Sequence, residues 1–469
     1  MKRMTGSENY DAVVIGTGQG GKPLARSLGA HGWRTAIVES EHVGGTCVNV
    51  GCTPTKTMIA SARVAHLASR AADYGVEIGA VRVDLPRVVE RKRGVVTSFR
   101  EGSQRRLEAT PGVDLVFGEA RFVDARTLTV RDADGAERTF HSETIFINTG
   151  GRPAIPPVFN PLSDAAFLTS TTIQELETLP RHLVILGGGY VSVEFSQMFR
   201  RFGSDVTIVQ RGDQLLTQED RDVAEEAANI LREDGVKIEL GAVVTHAVRG
   251  PDGGIVLTIE ANGEIREIEG SHLLVATGRE PSTAALDLQR AGVKTDERGH
   301  VIVDDRLQTN VPGIYALGDV KGGPAFTHIA YDDYRIIETN LLKGGDARVG
   351  GRLVPYTVFM DPELGRVGWT EAEARRQGRR IRVAKLPMTH VARAIERSET
   401  RGFMKAIVDA DTDAILGCAI LGIEGGEIMS VVQVAMMGKL PYTALRDGVF
   451  SHPTVAESLN NLFMALDAE

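Results

Sequence analysis

The sequence predicts an α/β protein: two Rossmann-like βαβ units, the second inserted into the first, followed by an α+β unit. Three observations carry this. An apolar strand runs into Gly16-Thr17-Gly18-Gln19-Gly20-Gly21, and a second runs into Gly187-Gly188-Gly189. The last third then changes to short apolar strands with acidic turns, closed by helices. Glycines in a strand-to-helix turn let the backbone bend sharply and come close to a bound group, which is why their place after a strand is informative.

In chain order, Ala12–Ile15 reads as a buried parallel strand. A helix over about 23–31 follows the glycines, and a strand over 34–38 ends in Glu39. Gly16 serves the tight turn, Gly18 the approach of a pyrophosphate and Gly21 the helix–strand contact. Glu39, 18 residues past Gly21, stands where an acid meets a ribose hydroxyl. Strand, glycines, helix, strand and acid in this order form a dinucleotide fingerprint. The pattern recurs with a strand over 183–186, Gly187 and Gly189, a helix to about 202 and a strand over 205–209. Ser192 replaces the third glycine and is small enough to keep the helix close. Gln210 and Arg211 stand where the acid belongs. An arginine there pairs with a 2'-phosphate and favours NADPH; as a solvated loop charge it leaves NADH open.

Two further strand-ending glycine turns, at Gly150 and at Gly278, bracket the second unit and make it an insertion. The apolar strand before Gly318-Asp319 ends in an aspartate able to accept hydrogen bonds from a polyol chain. Strands are expected over 358–360, 381–386, 402–408 and 415–421, and helices over 426–437 and 455–466. The resulting division is 1–150 and 276–347 for the first dinucleotide domain, 151–275 for the second and 348–469 for the C-terminal domain.

Bulk properties narrow the classes. With 53 Lys+Arg against 62 Asp+Glu, the net charge of -9 gives no electrostatic case for nucleic acid. Arg91-Lys92-Arg93 is expected on a solvated helical face. No signal peptide and no apolar run long enough for a membrane helix is visible, so a cytoplasmic protein is expected.

Two of the three cysteines, Cys47 and Cys52, lie in Gly44-Gly45-Thr46-Cys47-Val48-Asn49-Val50-Gly51-Cys52-Thr53-Pro54-Thr55-Lys56. A C-x4-C pair on a regular helix points to different faces, but Gly51 and Pro54 interrupt it. The thiols can then meet at the mouth of a helix over 55–69, where the helix dipole lowers a thiol pKa. Zinc would need further Cys or His ligands at suitable spacing, and no metal-ligand set is visible. Cys418 lies in an apolar strand and reads as a buried inert thiol. His328 and His390 read as structural or surface residues.

Two dinucleotide sites beside a dithiol imply a relay from nicotinamide to a disulfide, and flavin fits between them. At this point the chain resembles the pyridine nucleotide-disulfide oxidoreductases over nearly its whole length. The Cys47 motif, Thr277-Gly278-Arg279, Gly318-Asp319 and His452-Pro453-Thr454 through Glu457 carry the likeness. The resemblance implies FAD on Gly16, Gly18, Gly21, Glu39 and Asp319, and the nicotinamide cofactor on Gly187, Gly189 and Arg211 with Tyr190 covering its pocket. Gly45, Thr46, Lys56, Gly150 and Gly278 complete the cofactor-contacting set. It further implies Cys52 against the flavin, Cys47 as the interchange thiol, Lys56 paired with Glu194, and His452 as proton carrier oriented by Glu457. The C-terminal domain would form a homodimer whose active sites are shared between subunits.

Among subfamilies, the chain resembles mercuric reductases in the Cys47 motif and residues 359–370, and looks nearest the mercuric-reductase-like branch linked to reactive chlorine resistance and copper(II) reduction through residues 326–336 and 455–463. Mercuric reductases carry a C-terminal cysteine pair, whereas the last cysteine here is Cys418. Dihydrolipoamide dehydrogenases usually place a second histidine where Phe450 stands. The expected acceptor is therefore a metal ion, Hg(II) or Cu(II), or a small oxidant met directly by Cys47. A dihydrolipoamide dehydrogenase, a glutathione-reductase-like enzyme, and a non-catalytic flavoprotein sensor or complex subunit are the alternatives.

Overall fold

The computed structural model describes residues 7–159, 167–250 and 252–467. The chain forms two compact units: Met1–Thr57, Val89–Ala154 and Arg279–Arg352 make the first, and Met58–Val88, Ile155–Gly278 and Leu353–Glu469 the second.

The first unit is built on a five-stranded parallel sheet in the order Ile314–Ala316, Ile145–Ile147, Ala12–Ile15, Thr35–Glu39, Val113–Phe117. Strand side chains alternate, and here both faces are covered. Val13, Ile15, Ala36 and Val38 enter one buried cluster, with Phe122 and Phe140. Ala12, Val14 and Ile37 enter another, with Leu24 and Leu28 of the Gly21–Ala30 helix. An antiparallel layer of Glu119–Phe122, Thr127–Arg131 and Glu137–His141 supplies part of the first cluster. That layer was not expected from sequence, because its exposed faces carry charges that mask the alternation.

The second unit contains the recurrent βαβ pattern as a parallel sheet ordered Lys237–Leu240, Asp205–Gln210, His182–Leu186, His272–Val275. A three-stranded antiparallel sheet, Val243–Arg249, Ile255–Ala261 and Glu264–Gly270, packs into the same core. The C-terminal segment forms a five-stranded antiparallel sheet: Tyr356–Val358, Glu363–Gly368, Ile415–Gly422, Phe403–Asp409, Ile381–Pro387. The helices Gly425–Met437 and Ser458–Met464 bury Ile428, Val432, Leu459 and Leu462 in its core.

Three sequence expectations need correction. The strand Glu363–Gly368 was missed, since Gly365 and Gly368 dilute its apolar pattern; a side chain at Gly365 would meet the Gly425 carbonyl. The last regular helix spans only Ser458–Met464 before a 3-10 turn, shorter than 455–466. Lys92 is only 2% exposed although Arg91 and Arg93 are exposed, so the basic run is not wholly a solvated face.

Candidate active site

The cysteines meet where the chain breaks between two helices, at the mouth of the second. Cys47 lies in the short helix Gly45–Asn49, and Cys52 is the first residue of the helix Cys52–Ser69, three positions earlier than expected. Val50 adopts φ -142° between them, and Gly51 fits there because a β-carbon would press on the Thr46 carbonyl. The two thiols are free and hydrogen-bonded to each other, Cys47 half-buried and Cys52 exposed.

The expected lowering of the Cys47 pKa is not what its surroundings produce. The bond to the Cys52 sulfur and burial push the thiol far up; Thr327 and Lys22 pull the other way. The Thr327 hydroxyl also lies 3.3 Å from the Cys52 sulfur. Thr327 begins the helix Thr327–Leu342, and no local pattern marked it as a partner of either thiol.

The first glycine turn fits an FAD pyrophosphate. Gly16 has φ 101°, and a β-carbon there would lie 2.4 Å from the Asn148 carbonyl; at Gly21 it would lie 2.2 Å from the Gly16 carbonyl. The N–H groups of Gly18, Gln19 and Gly20 have no hydrogen-bond partner among the described residues, which leaves donors at the mouth of the Gly21–Ala30 helix. Asn148, absent from the sequence-predicted set, accepts from the Gly21 N–H at 2.8 Å and donates to the Leu317 carbonyl at 2.8 Å. Glu39 ends its strand and accepts from the backbone N–H and hydroxyl of Thr17. The Cys47 helix rests directly on this turn: a β-carbon on Gly45 would lie 2.6 Å from the Gly18 Cα, and Gln19 donates to the Gly44 carbonyl at 3.1 Å. Thr46 is half-buried in that helix.

At the same end of the sheet, after the neighbouring strand Ile145–Ile147, the Thr149 hydroxyl is buried without a partner beside Gly150, which has φ 66° and open space on its side-chain side. Asp319 lies in the 3-10 turn Gly318–Lys321, where burial pushes its carboxyl above the usual range against the pull of Arg279 and Lys321. Orphaned donors, an orphaned hydroxyl and a largely buried carboxyl all suit a polar, hydroxyl-rich anion.

In the second unit, Gly187 has φ 113° and a β-carbon would lie 2.4 Å from the Ala276 carbonyl, while Gly189 and Gly278 face open space. Ser192 is buried with its hydroxyl unpartnered, so the serine is accommodated as a small residue rather than as a hydrogen-bonding one. Gln210 lies over Gly188 and donates to the Gln214 carbonyl at 3.3 Å; Arg211 is exposed. Tyr190 is 39% exposed at the start of the helix Tyr190–Phe202.

Glu194, one turn into that helix, is buried and accepts from the Phe359 N–H at 2.9 Å. Gln197 both accepts from the Asp361 N–H and donates to its carbonyl, each at 2.7 Å. Arg63 and Arg201 pair with the Asp361 carboxylate. Residues 194, 197 and 201 share one helix face, so this strap fixes the backbone that holds Glu194. Lys56 is half-buried near the start of the Cys52–Ser69 helix. His452 lies in a loop with its side chain 70% exposed, its Nδ1 2.9 Å from a Glu457 oxygen. Glu457 is itself held by its N–H to the Thr454 hydroxyl. Cys418 is fully buried, and burial pushes its thiol up to about 12. His328 stacks on Phe326. Among the described residues, no cluster of His, Cys, Asp and Glu could hold a metal ion, and no helix is long and apolar enough to cross a membrane.

A double dinucleotide fold carrying a dithiol beside its first glycine turn defines a class of redox flavoproteins. The chain belongs to the pyridine nucleotide-disulphide oxidoreductase family, which matches residues 10–333, with the family's dimerisation domain matching 354–463. It is 40% identical over 457 residues to the probable pyridine nucleotide-disulfide oxidoreductase RclA of Escherichia coli, covering 97% of this chain and 98% of that one. It is also 33% identical to a mercuric reductase of Staphylococcus aureus, covering 98% and 83%, and to a dihydrolipoyl dehydrogenase of Bacillus subtilis, covering 95% and 94%. A solved Cu(II) complex of the HOCl-induced flavoprotein disulfide reductase RclA superposes with a TM-score of 0.89 at 40% identity, covering 97% and 99%. This chain is accordingly an FAD-dependent oxidoreductase of that family.

Proposed function

We propose that the enzyme draws electrons from NADPH and delivers them directly from Cys47 to a metal ion, Cu(II) or Hg(II), or to a small oxidant. The observation that carries the direct delivery is the thiol inventory. Within these 469 residues the third cysteine, Cys418, is buried in a strand, so the Cys47–Cys52 pair is the accessible dithiol. The solved Cu(II) complex of RclA supports a metal acceptor, as does the likeness to mercuric reductases. Arg211, exposed in place of a ribose-binding acid, supports NADPH.

Bound FAD supplies the exchange of an electron pair between nicotinamide and the disulfide. The protein's own groups do the rest. Gly16, Gly18, Gly21, Glu39, Gly45, Thr46, Gly150 and Asp319 hold FAD; Gly187, Gly189, Tyr190 and Gly278 with Arg211 hold NADPH; the charges of Lys56 and of Glu194 tune the exchange. Cys52 faces the cofactor and Cys47 the acceptor. His452, brought across a homodimer and oriented by Glu457, carries the proton of the Cys47 thiol. Per NADPH oxidised, two Cu(II) become Cu(I), or one Hg(II) becomes Hg(0), with release of one proton.

NADPH oxidation is measured against Cu(II), Hg(II), lipoamide and oxidised glutathione, in wild type and Cys47→Ser. Metal-dependent turnover that Cys47→Ser abolishes is expected. Lipoamide turnover far above the metals would refute the metal reading, and an unchanged rate in Cys47→Ser would show that the dithiol is bypassed. His452→Ala is expected to lower disulfide reduction by about a hundredfold while sparing metal reduction.

A further inference from the structure

Three cations, Lys22, Arg100 and Arg106, cluster beside the Cys47 helix without a direct ion pair to a carboxylate among the described residues. Lys22 is the second residue of the Gly21–Ala30 helix. Its amine donates to the Ser103 hydroxyl at 3.4 Å, and Arg106 reaches the same oxygen at 3.5 Å. Ser103 is buried, so both cations converge on one enclosed hydroxyl. Arg100, one turn earlier on the same Leu85–Glu108 helix, donates at 2.8 Å to Asn49. Asn49 lies two residues after Cys47 and in the same short helix.

Residues 100, 103 and 106 share a helix face, and that face meets both Lys22 and the Cys47 helix. Gly45 against Gly18 closes the arrangement from the other side, because the short helix rests on the turn from which Lys22 projects. Among the described residues, none of Lys22, Arg100 and Arg106 forms an ion pair with a carboxylate. Glu39 and the Cys47 thiolate are the negative charges of this chain that act on Lys22, and of the two only the thiolate appears and disappears with the redox state of the dithiol.

We propose that Lys22, reinforced by Arg106 and Arg100, is a positioning residue that stabilises Cys47 as the thiolate during turnover. Lys22 and Arg100 are half-buried while Arg106 is exposed; like charges held partly out of water are costly unless a negative charge appears beside them, and the ionised sulfur is such a charge. The electrostatics run both ways: the Lys22 charge favours the Cys47 thiolate, and the thiolate favours the Lys22 ammonium. Burial pulls the Lys22 amine down to about 8; Cys47 and Glu39 oppose this and Arg106 adds to it. The amine is therefore mostly charged at neutral pH and loses its charge as pH rises past 8. This offsets the bond to Cys52 and the burial that hold Cys47 protonated. The inference rests on Cys47 being the acceptor-facing thiol, but not on which acceptor it meets.

The test is the pH dependence of Cys47 alkylation by iodoacetamide in the NADPH-reduced holoenzyme, read on the Cys47 peptide by mass spectrometry with no acceptor present. Lys22→Met is expected to move the alkylation midpoint up by about one pH unit, so that below it Cys47 reacts about tenfold more slowly than in wild type. Lys22→Arg keeps a charge that does not titrate and is expected to restore the neutral-pH rate. Flavin content and circular dichroism of both variants report folding. An unshifted midpoint in Lys22→Met, or an equal shift in folded Lys22→Arg, would overturn the proposal. Failure of all metal acceptors with a shifted midpoint would sink the metal reading and leave the role of Lys22 standing.

Discussion

The 16–21 turn and the 187–192 turn share a geometry but differ in what surrounds them. Each opens on a glycine of strongly positive φ, 101° at Gly16 and 113° at Gly187, pressed against a neighbouring strand's carbonyl. Around the first turn, side chains fasten the backbone: Glu39 accepts from Thr17, Asn148 accepts from Gly21, and Thr17 accepts from the Gly44 N–H at 3.1 Å. Around the second, the neutral Gln210 lies over Gly188, Arg211 is exposed, and Ser192 keeps a buried hydroxyl without a partner. A turn fastened before its ligand arrives loses less entropy on binding and suits a retained group; a looser turn suits one that enters and leaves each cycle.

The largest expected effect comes from breaking the fastened turn. Gly21→Ala would drive a methyl group to 2.2 Å from the Gly16 carbonyl, so the protein should purify without its flavin absorbance. Gly187→Ala should keep the flavin and lose its reduction by NADPH, because a β-carbon there meets the Ala276 carbonyl. Loss of flavin in both variants would show that the two turns are not separable.

Arg211→Glu comes next. The ratio of kcat/KM for NADPH over NADH should fall about tenfold or more, the scale of a lost charge-assisted bond. An unchanged ratio would make Arg211 a solvated loop charge.

Acidification should separate the units. In the second unit, burial alone would raise Asp361, but Arg201 and Arg63 outweigh it and hold the carboxyl low. Asp220 and Asp222 are likewise held low against burial, the former by the Glu371 and Ala372 N–H groups, the latter by Lys385 and Lys405. Folded values below unfolded ones mean stability that is complete above pH ~4 and lost as pH falls through the folded values. The carboxyls held low in the first unit, Glu8, Asp124, Asp296 and Glu338, are mostly solvent-screened and weigh less. Asp319 there, like Glu363 in the second unit, has the opposite sign, so lowering pH through its raised value adds stability to the apoprotein. Each unit contains one of the two tryptophans, Trp33 in the first and Trp369 in the second. Fluorescence of the Trp33→Phe and Trp369→Phe apoproteins should therefore show the second unit unfolding at the higher pH.

The smallest effect is expected at Ser192→Ala. It removes a buried hydroxyl that has no partner and should leave stability unchanged or raise it by about 1 kcal/mol. A marked loss on thermal melting would reveal a bond that the turn needs.

Much of this contrast is legible along the chain. The glycines, Glu39, Gln210-Arg211 and the Cys47–Cys52 pair are local patterns, in which a few adjacent residues state a turn, an acid or a dithiol. Asn148, Thr327 and Lys22 were not legible as members of a site. Asn148 reaches Gly21 across 127 positions and Thr327 reaches Cys52 across 275, and an amide or hydroxyl carries no periodic signal. Lys22, just before the helix expected over 23–31, carried no signal of its own until the Leu85–Glu108 helix supplied Ser103 and Arg106 beside it.

The sequence by itself determined the two βαβ units, the insertion, the close Cys47–Cys52 pair and the buried Cys418, because short-range periodicity and backbone-permissive glycines depend on neighbours in the chain. Tertiary structure decided where the helix breaks between the two cysteines, which residues fasten the first turn, and the protonation of Cys47. A pKa is the sum of burial and of charges at distance, and the cations and hydroxyls around this thiol come from helices far apart in sequence.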